Sequence, residues 1–189
     1  MQYRLDTILD AVNLVLRKLG EPPIGTLNTQ YPSLDLILPA LDEAQRNLLT
    51  EGWWFNTFEP VTLSPGADGR VTVPPDTLVF EPTDADKYLY TGTFIRTLNG
   101  SLIINASVEG RRVVNIPFEE LPPMVRTAVA YAAGVNVYAS DVGVDDIYNA
   151  MAGAYATAYR EMGATHTRQR NFTSRHKKRV NRWRYQLRS

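Results

Sequence analysis

The chain of 189 residues has no cysteine and only two histidines. Without thiols it can form neither disulfide bonds nor thiolate zinc sites, and it has no cysteine nucleophile. The histidines, His166 and His176, lie among Arg and Lys residues near the C-terminus. Positive neighbours disfavour both a second positive charge and a bound metal cation. We therefore expect solvated or partner-facing histidines, with no metal site and no cofactor.

Long apolar runs and the short motifs of common enzyme sites are also missing. No segment approaches the roughly 20 consecutive apolar residues of a transmembrane helix, and the first residues lack the basic-then-apolar pattern of a signal peptide. We find no glycine-rich phosphate loop, Gly-x-Ser-x-Gly elbow or His-Glu-x-x-His helix in the sequence. The apolar fraction of 44% is sufficient for a packed core. A globular protein without a membrane segment is predicted.

Charge is divided unequally along the chain, although the formal net charge is zero. Residues 167–189 hold nine of the 20 basic side chains and none of the 20 acidic ones. The preceding 166 residues keep the other 11 basic side chains and all 20 acidic ones, which gives them a formal charge of −9. Such segregation is typical of an interaction tail on an oppositely charged body.

The pattern of apolar residues predicts an α+β fold. Helical periodicity covers residues 1–52 and 119–164, and short β-branched or aromatic runs separated by turns cover 53–118. We expect an antiparallel bundle of about four helices, an inserted small antiparallel β-domain, and an extended basic C-terminal arm over 165–189. Within the second helix, Pro39 predicts a bend or a late start.

One turn can be predicted in more detail. Asn99-Gly100 lies between apolar runs and suits a type I′ turn, since both residues tolerate positive φ angles. This predicts that Arg96–Thr97 pairs with Ser101–Leu102 as a hairpin.

Two groups of residues are candidate sites for catalysis or ligand binding. Paired carboxylates could perform the acid–base chemistry of a glycosidase, but adjacent acids at helix starts more often favour the helix dipole. The Trp53-Trp54-Phe55 cluster could bind a sugar or a base, although a packing role at the end of the second helix is the more ordinary interpretation. The pairs are Asp42/Glu43, Asp84/Asp86, Glu119/Glu120 and Asp145/Asp146.

The arm is the strongest candidate site, because it interleaves cations with aromatic rings. This composition suits nucleic acid, with cations for phosphates and rings for stacking. It suits an acidic protein groove equally well, with arginine–carboxylate pairs and aromatic anchors. The residues concerned are Arg168, Arg170, Phe172, Arg175, Lys177, Lys178, Arg179, Arg182, Trp183, Arg184, Tyr185 and Arg188.

Two motifs carry a family resemblance. The stretch from Ala11 to Ile24 reads AVNLVLRKLGEPPI, and the second helix is followed by GWWFN at 52–56. Their sequence, spacing and order along the chain resemble the tail tubular protein A family, the head-to-tail adaptors, or gatekeepers, of short-tailed bacteriophages. The resemblance extends along nearly the whole chain.

The resemblance implies a structural virion protein rather than an enzyme. Such adaptors form a ring of twelve subunits beneath the portal. On this chain the arm would bind the portal protein, and loops between Glu59 and Arg112 would face the tail nozzle, of the tail tubular protein B type, or the tail fibres. Viral DNA would pass through the channel without specific binding during ejection, and the ring would be assembled in the host cytoplasm. A nucleic-acid-binding module and a tail-associated peptidoglycan hydrolase are the alternative functions.

The aromatic residues of the arm generate a prediction. Trp183→Ala should weaken portal attachment more than any single Arg→Ala in the arm. A buried aromatic anchor usually outweighs one exposed charge, here by roughly 1–3 kcal/mol. Affinities of the single variants for purified portal protein would measure this, and equal losses across the arm would contradict it.

Overall fold

The computed structural model describes residues 5–28 and 30–186, with side chains described as far as residue 170. This part of the chain contains four α-helices, one short 3-10 helix and five strands, which confirms the α+β class. The chain divides into a helical unit, made of residues up to Ala44 and from Leu121 onward, and a β unit spanning Gln45–Glu120. In order, the elements are α1 Ile8–Lys18, α2 Leu34–Thr50, β1 Thr57–Leu63, β2 Thr77–Pro82, β3 Tyr88–Tyr90, β4 Ile95–Thr97, β5 Val108–Val114, the 3-10 helix Phe118–Glu120, α3 Pro123–Asp141 and α4 Asp146–Gln186.

The helical unit is built around the apolar face of α1. Thr7 caps this helix and forms a capping box with Asp10, so the first turn has its backbone donors satisfied. The buried side of α1 packs on α3, and α3 packs on α4. At Gly134 of α3 an added Cβ would lie 3.4 Å from the sulfur of Met151 and 3.5 Å from a methyl group of Val15. These are ordinary van der Waals distances, so side chains of α1 and α4 pack directly beside α3 at this point.

Helix α2 continues through a proline. It begins at Leu34 and extends through Pro39 to Thr50, so of the two predicted alternatives the late start is wrong and the bend stays a prediction. Proline in the second turn removes a single backbone donor, and burial of Ile37 and Leu41 offsets this loss. Gly52, with φ at 77°, follows the end of the helix, as its position in the sequence predicts.

The β unit contains a three-stranded antiparallel sheet in the order β1-β5-β2 and a two-stranded sheet formed by β3 and β4. The sequence predicts short strands at 61–63, 71–73, 88–90, 93–95, 102–104 and 113–116. Those at 61–63 and 88–90 lie wholly in β1 and β3, and those at 93–95 and 113–116 lie partly in β4 and β5. Those at 71–73 and 102–104 form only isolated bridges, Thr72 to Phe94 and Arg70 to Ile103. Strand β2 was not predicted. The core of this unit consists of Val71, Val73, Phe80, Ile95 and Val108.

The Asn99-Gly100 turn is present, but its predicted geometry is wrong. The N–H of Thr97 donates to Ser101 O and the N–H of Gly100 donates to Thr97 O, each over 2.9 Å. Gly100 has φ at 89°, whereas Asn99 does not have the positive φ that a type I′ turn requires. The loop is therefore a three-residue hairpin loop with a glycine bulge. The Thr97 hydroxyl also accepts the N–H of Ser101, over 3.0 Å, which stabilises the wider loop.

Strand pairing around this turn also differs from the prediction. Arg96 lies opposite Leu89 of β3. Strand β4 therefore pairs with β3, and not with a strand that follows Gly100. The amide of Ile95 donates to Val71 O over 3.0 Å on the other edge of β4. Both edges of β4 are thus occupied by segments distant from the turn.

The C-terminal helix is longer than its apolar pattern indicates. The sequence predicts a fourth helix ending near residue 164 and a separate arm, whereas the backbone of α4 is helical from Asp146 to Gln186. A helix of this length rises roughly 60 Å at 1.5 Å per residue.

The central strand β5 generates a test of the sheet packing. A Cβ at Gly110 would lie 2.4 Å from the backbone oxygen of Glu81 and 2.7 Å from the ring of Phe80. Gly110→Ala must push β2 away from β5, so we expect the free energy of unfolding to fall by about 1–3 kcal/mol. Gly163→Ala on α4 is the matched control. Open space surrounds that site, and alanine should raise helix stability by up to about 1 kcal/mol. Urea unfolding of both variants measures the difference, and equal stability would contradict the proposed clash.

Candidate partner-binding site

The described part of the basic arm lies on α4. Arg168 and Arg170 are exposed there. The Nε–H of Arg168 donates to Ala164 O over 3.2 Å, and its terminal nitrogen donates to the Thr165 hydroxyl over 3.2 Å. Both partners belong to the same helix, so the guanidinium of Arg168 lies along the helix surface. The other predicted arm residues lie outside the described side chains: Phe172, Arg175, Lys177, Lys178, Arg179, Arg182, Trp183, Arg184, Tyr185 and Arg188.

The first family motif forms the end of α1 and the start of the following loop. Gly20, with φ at 79°, donates its N–H to Arg17 O, and the N–H of Glu21 donates to Leu16 O over 2.9 Å. These two bonds make a Schellman motif, which satisfies two of the last carbonyl groups of the helix. The Asn13 side chain then exchanges two hydrogen bonds with the backbone of Ile24, over 2.8 and 3.0 Å. The motif therefore fixes the path by which the chain leaves α1.

Glu21 of the same motif connects this loop to the start of α2. Its carboxylate accepts a hydrogen bond from the Ser33 hydroxyl, with both carboxylate oxygens 2.8 Å from the hydroxyl oxygen. Burial and a hydrogen bond to the Glu21 carboxylate raise the pKa of Tyr31. The motif thus determines both ends of the α1–α2 connection within the helical unit.

The second family motif forms a buried polar junction in the β unit. Asn56 has no exposed surface. Its amide nitrogen donates to Leu49 O over 2.9 Å and to Val114 O over 3.0 Å, and its amide oxygen accepts the N–H of Trp53 over 2.7 Å. One side chain therefore connects the last turns of α2, the turn at 53–56 and the end of β5. In the sequence Asn56 is recognisable only as part of a motif, because a single Asn carries no local signal that its side chain will bond buried backbone groups.

The aromatic cluster of this motif does not form an open binding platform. Trp53 is 6% exposed, and its indole N–H donates to Leu48 O over 2.7 Å. Trp54 packs edge-to-face against Trp53 and against Phe55. Burial of the first ring and these mutual contacts favour the packing interpretation over sugar or base binding.

Two members of the carboxylate pairs, Asp145 and Asp84, are bonded to neighbouring side chains. A hydrogen bond from the Tyr138 hydroxyl, over 2.7 Å, and bonds from the backbone of Tyr148 and Ile147 lower the pKa of Asp145. An acid catalyst at neutral pH needs the opposite shift. Asp84 is exposed and paired with Lys87 over 3.0 Å. Asp145 therefore serves as the cap of α4, in agreement with the helix-start interpretation.

An open groove of about 840 Å³ lies between α1, α3 and α4 in the helical unit. Its titratable lining residues are Tyr131 and Glu161, among mostly apolar or small neighbours such as Leu5, Leu14, Met124 and Ala154.

Among the described residues no group of three His, Asp or Glu side chains could hold a metal ion. None of the helices in the described segments combines the length and the apolar character needed to cross a membrane.

Comparison with known proteins agrees with the motifs. A family model described as tail tubular protein matches residues 9–172, a range that contains both motifs and α4 as far as the first part of the basic arm. The chain is 34% identical over 142 residues to tail tubular protein A of Klebsiella phage KP34, and the alignment covers 74% of this chain and 76% of that protein.

The chain belongs to the tail tubular protein family, and the resemblance noted in the sequence is confirmed. It is by this membership a structural component of a bacteriophage tail.

The Asn56 junction generates a prediction. Asn56→Asp keeps the size and the acceptor for the Trp53 amide, but it places carboxylate oxygens against two carbonyl oxygens in a fully buried site. We expect a loss of about 3–5 kcal/mol in the free energy of unfolding at pH 7. Asn47→Asp, at an exposed position of α2, is the control and should change stability by less than about 0.5 kcal/mol.

The pH dependence of this variant provides a second check. The introduced carboxyl should have a raised pKa in the folded state, because burial and the carbonyl oxygens disfavour its charge. The protonated form can donate one hydrogen bond again. The stability deficit against the native chain should therefore shrink as the pH falls through that raised value. Denaturant unfolding of the variant and the native chain at pH 5 and pH 8 measures this difference in the free energy of unfolding. A difference that is larger at pH 5 than at pH 8 would contradict the role of the amide donor.

Proposed function

We propose that the chain is a subunit of a head-to-tail adaptor ring that joins the portal to the tail nozzle. Its C-terminal arm is the portal-binding element, and its β unit faces the nozzle or the tail fibres. The ring has twelve subunits and forms part of the DNA conduit.

The observation that carries this proposal is the position of the basic segment on α4. The helix extends well past the segment that packs on α3, and its first described cations, Arg168 and Arg170, are exposed. Nine cations without an anion in residues 167–189 give the helix end a strong positive charge. A helix of this kind suits an acidic groove on a neighbouring protein. Twelve such arms would convert a modest single contact into a very stable attachment through avidity.

Charge also supports the role in the conduit. The residues that precede the arm carry a formal charge of −9. A channel wall with the same sign as DNA would keep the passing duplex from adhering. We infer that the lumen of the ring is lined mainly by acidic and neutral side chains. Mapping of Lys and Arg onto the lumen in an image of the assembled ring would overturn this inference.

Catalysis is not part of the proposal. The lowered pKa of Asp145 and the ion pair of Asp84 with Lys87 are opposite to what a glycosidic acid requires. A peptidoglycan zymogram on chains with the acidic pairs changed to Asn and Gln would test this view. Clearing by the native chain that disappears with one of these changes would argue for an enzyme.

The arm generates the principal prediction. A chain that ends at His166 should lose binding to purified portal protein, because it lacks all nine cations and the arm aromatics. The helical and β units should still fold, since the described packing residues precede this point. Co-sedimentation with portal measures the first effect, and circular dichroism with thermal unfolding measures the second. Retained portal binding would contradict the assignment.

A second measurement separates the adaptor from a nucleic-acid-binding module. A module would bind duplex or single-stranded DNA with an affinity that falls steeply with salt, and deletion of residues 167–189 would abolish it. For the adaptor we expect DNA affinity no better than the nonspecific range of about 10⁻⁴ to 10⁻⁶ M at physiological salt. Fluorescence anisotropy with labelled DNA at two salt concentrations distinguishes the two.

A further inference from the structure

The turn between α3 and α4 exposes three aliphatic side chains. Val142, Val144 and Ile147 are 55%, 72% and 42% exposed, although they lie within six residues of each other. We refer to residues 141–147 as the α3–α4 tip. Scattered single apolar residues on a surface are ordinary, whereas a contiguous group of this kind marks an interaction site.

The tip is held in one conformation. Asp145 accepts the Tyr138 hydroxyl on one carboxylate oxygen over 2.7 Å, and on the other it accepts the N–H groups of Ile147 and Tyr148 over 2.8 and 2.9 Å. Gly143 has φ at 110°, a conformation that other residues rarely adopt. The exposed side chains are therefore presented by a fixed turn, which lowers the entropic cost of binding.

Charge restricts the partner. Asp141, Asp145 and Asp146 lie in the tip, and no Lys or Arg occurs between residues 127 and 159. A partner that covers the aliphatic side chains must therefore bring positive charge together with apolar surface. The sequence contains one segment with this composition: residues 168–188, with nine cations and the rings of Phe172, Trp183 and Tyr185.

This segment cannot reach the tip of its own chain. The tip ends in the first residues of α4, and the arm extends along the same helix, which is continuous from Asp146 to Gln186. Arg168 follows Ile147 by 21 residues, so the first arm cation lies roughly 30 Å along the helix axis from the tip at 1.5 Å per residue. A contact between tip and arm must be made in trans.

We propose that the α3–α4 tip binds the basic C-terminal arm of a second copy of this chain. Two copies that lie with their α4 helices antiparallel make the contact twice, each tip against the arm of the other. Such a self-complementary interface closes with two copies. The acidic N-terminal end of α4 then faces the basic C-terminal end of its partner, an arrangement that the helix dipoles also favour.

The contact has a consequence that rests on the proposed function. If the arm binds the portal, the pairing covers the arm before the portal is met, and the portal must displace the tip. The free chain would then be a pair of copies whose arms are protected from nonspecific polyanions until docking.

Sedimentation velocity of the full chain tests the contact. We expect a concentration-dependent two-copy species that weakens as salt rises from 50 to 500 mM, because surface charge attraction is screened. Val144→Lys together with Ile147→Lys should weaken the pairing by at least about tenfold, since the change removes apolar contact and places positive charge against the basic arm. Leu36→Lys on α2 is the matched control: Leu36 is 56% exposed, and its change should leave the pairing within about twofold of the native value.

A mixing experiment tests the reciprocity. The tip variant keeps its arm, and a chain that ends at His166 keeps its tip, so each should be largely single in isolation. Mixed together, they should form a mixed pair through one intact contact. A native chain that stays single at about 50 μM, a concentration that reveals micromolar affinity, would overturn the proposal. So would a tip variant that pairs as well as the native chain, or a mixture without mixed pairs.

Binding to purified portal separates this inference from the proposed function. The tip variant should bind portal at least as well as the native chain, because its arm is intact and uncovered. Circular dichroism of the tip variant should match that of the native chain, since the changed side chains are exposed. Loss of portal binding together with a normal spectrum would argue that the tip contacts the portal and would overturn the tip–arm assignment.

Discussion

The amide of Asn56 is the interaction on which the β unit depends. Its side chain bonds three backbone groups: the carbonyls of Leu49 and Val114 and the N–H of Trp53. The Leu49 carbonyl also accepts the N–H of Gly52, over 3.1 Å. A single planar amide can satisfy all three, because it has donors on one end and an acceptor on the other. The backbone amide of Val114 donates to Asn56 O over 2.9 Å and completes the junction. Leu49 near the end of α2 and Val114 at the end of β5, which are 65 residues apart in sequence (114 − 49), are thereby joined.

Neighbouring residues of the same motif allow this junction to form. Gly52 leaves α2 with φ at 77°, and a Cβ there would meet the guanidinium of Arg111 and a methyl group of Val113. The motif near α1 works in the same manner, with Gly20 in a Schellman motif and Glu21 bonded to Ser33. Both motifs that mark the family therefore stabilise chain reversals. The surfaces proposed for partner binding lie on α4 and at the α3–α4 tip.

Those surfaces follow from the distribution of charge along one helix. Acidic and exposed aliphatic residues gather at the N-terminal end of α4, and cations gather toward its C-terminal end. Negative charge near the N-terminus of a helix and positive charge near its C-terminus both interact favourably with the helix dipole. The length of α4 keeps the two ends apart within one chain. This separation supports the proposal that each end contacts another molecule.

The sequence by itself determined the features that depend on near neighbours: the four helices, the β-rich centre, the glycine-terminated ends of α1 and α2, and the charge of the arm. Periodicity and turn chemistry act within a few residues, so they can be read directly. Strand β2, the pairing of both edges of β4 and the loop at Asn99 were decided by contacts between distant segments. The same holds for the role of Asn56 and for the exposure of Val144, because a hydrogen bond or an uncovered surface exists only once all elements have packed. The tertiary structure alone could therefore show that residues of the family motifs stabilise chain reversals and that the aliphatic side chains of the α3–α4 tip are exposed.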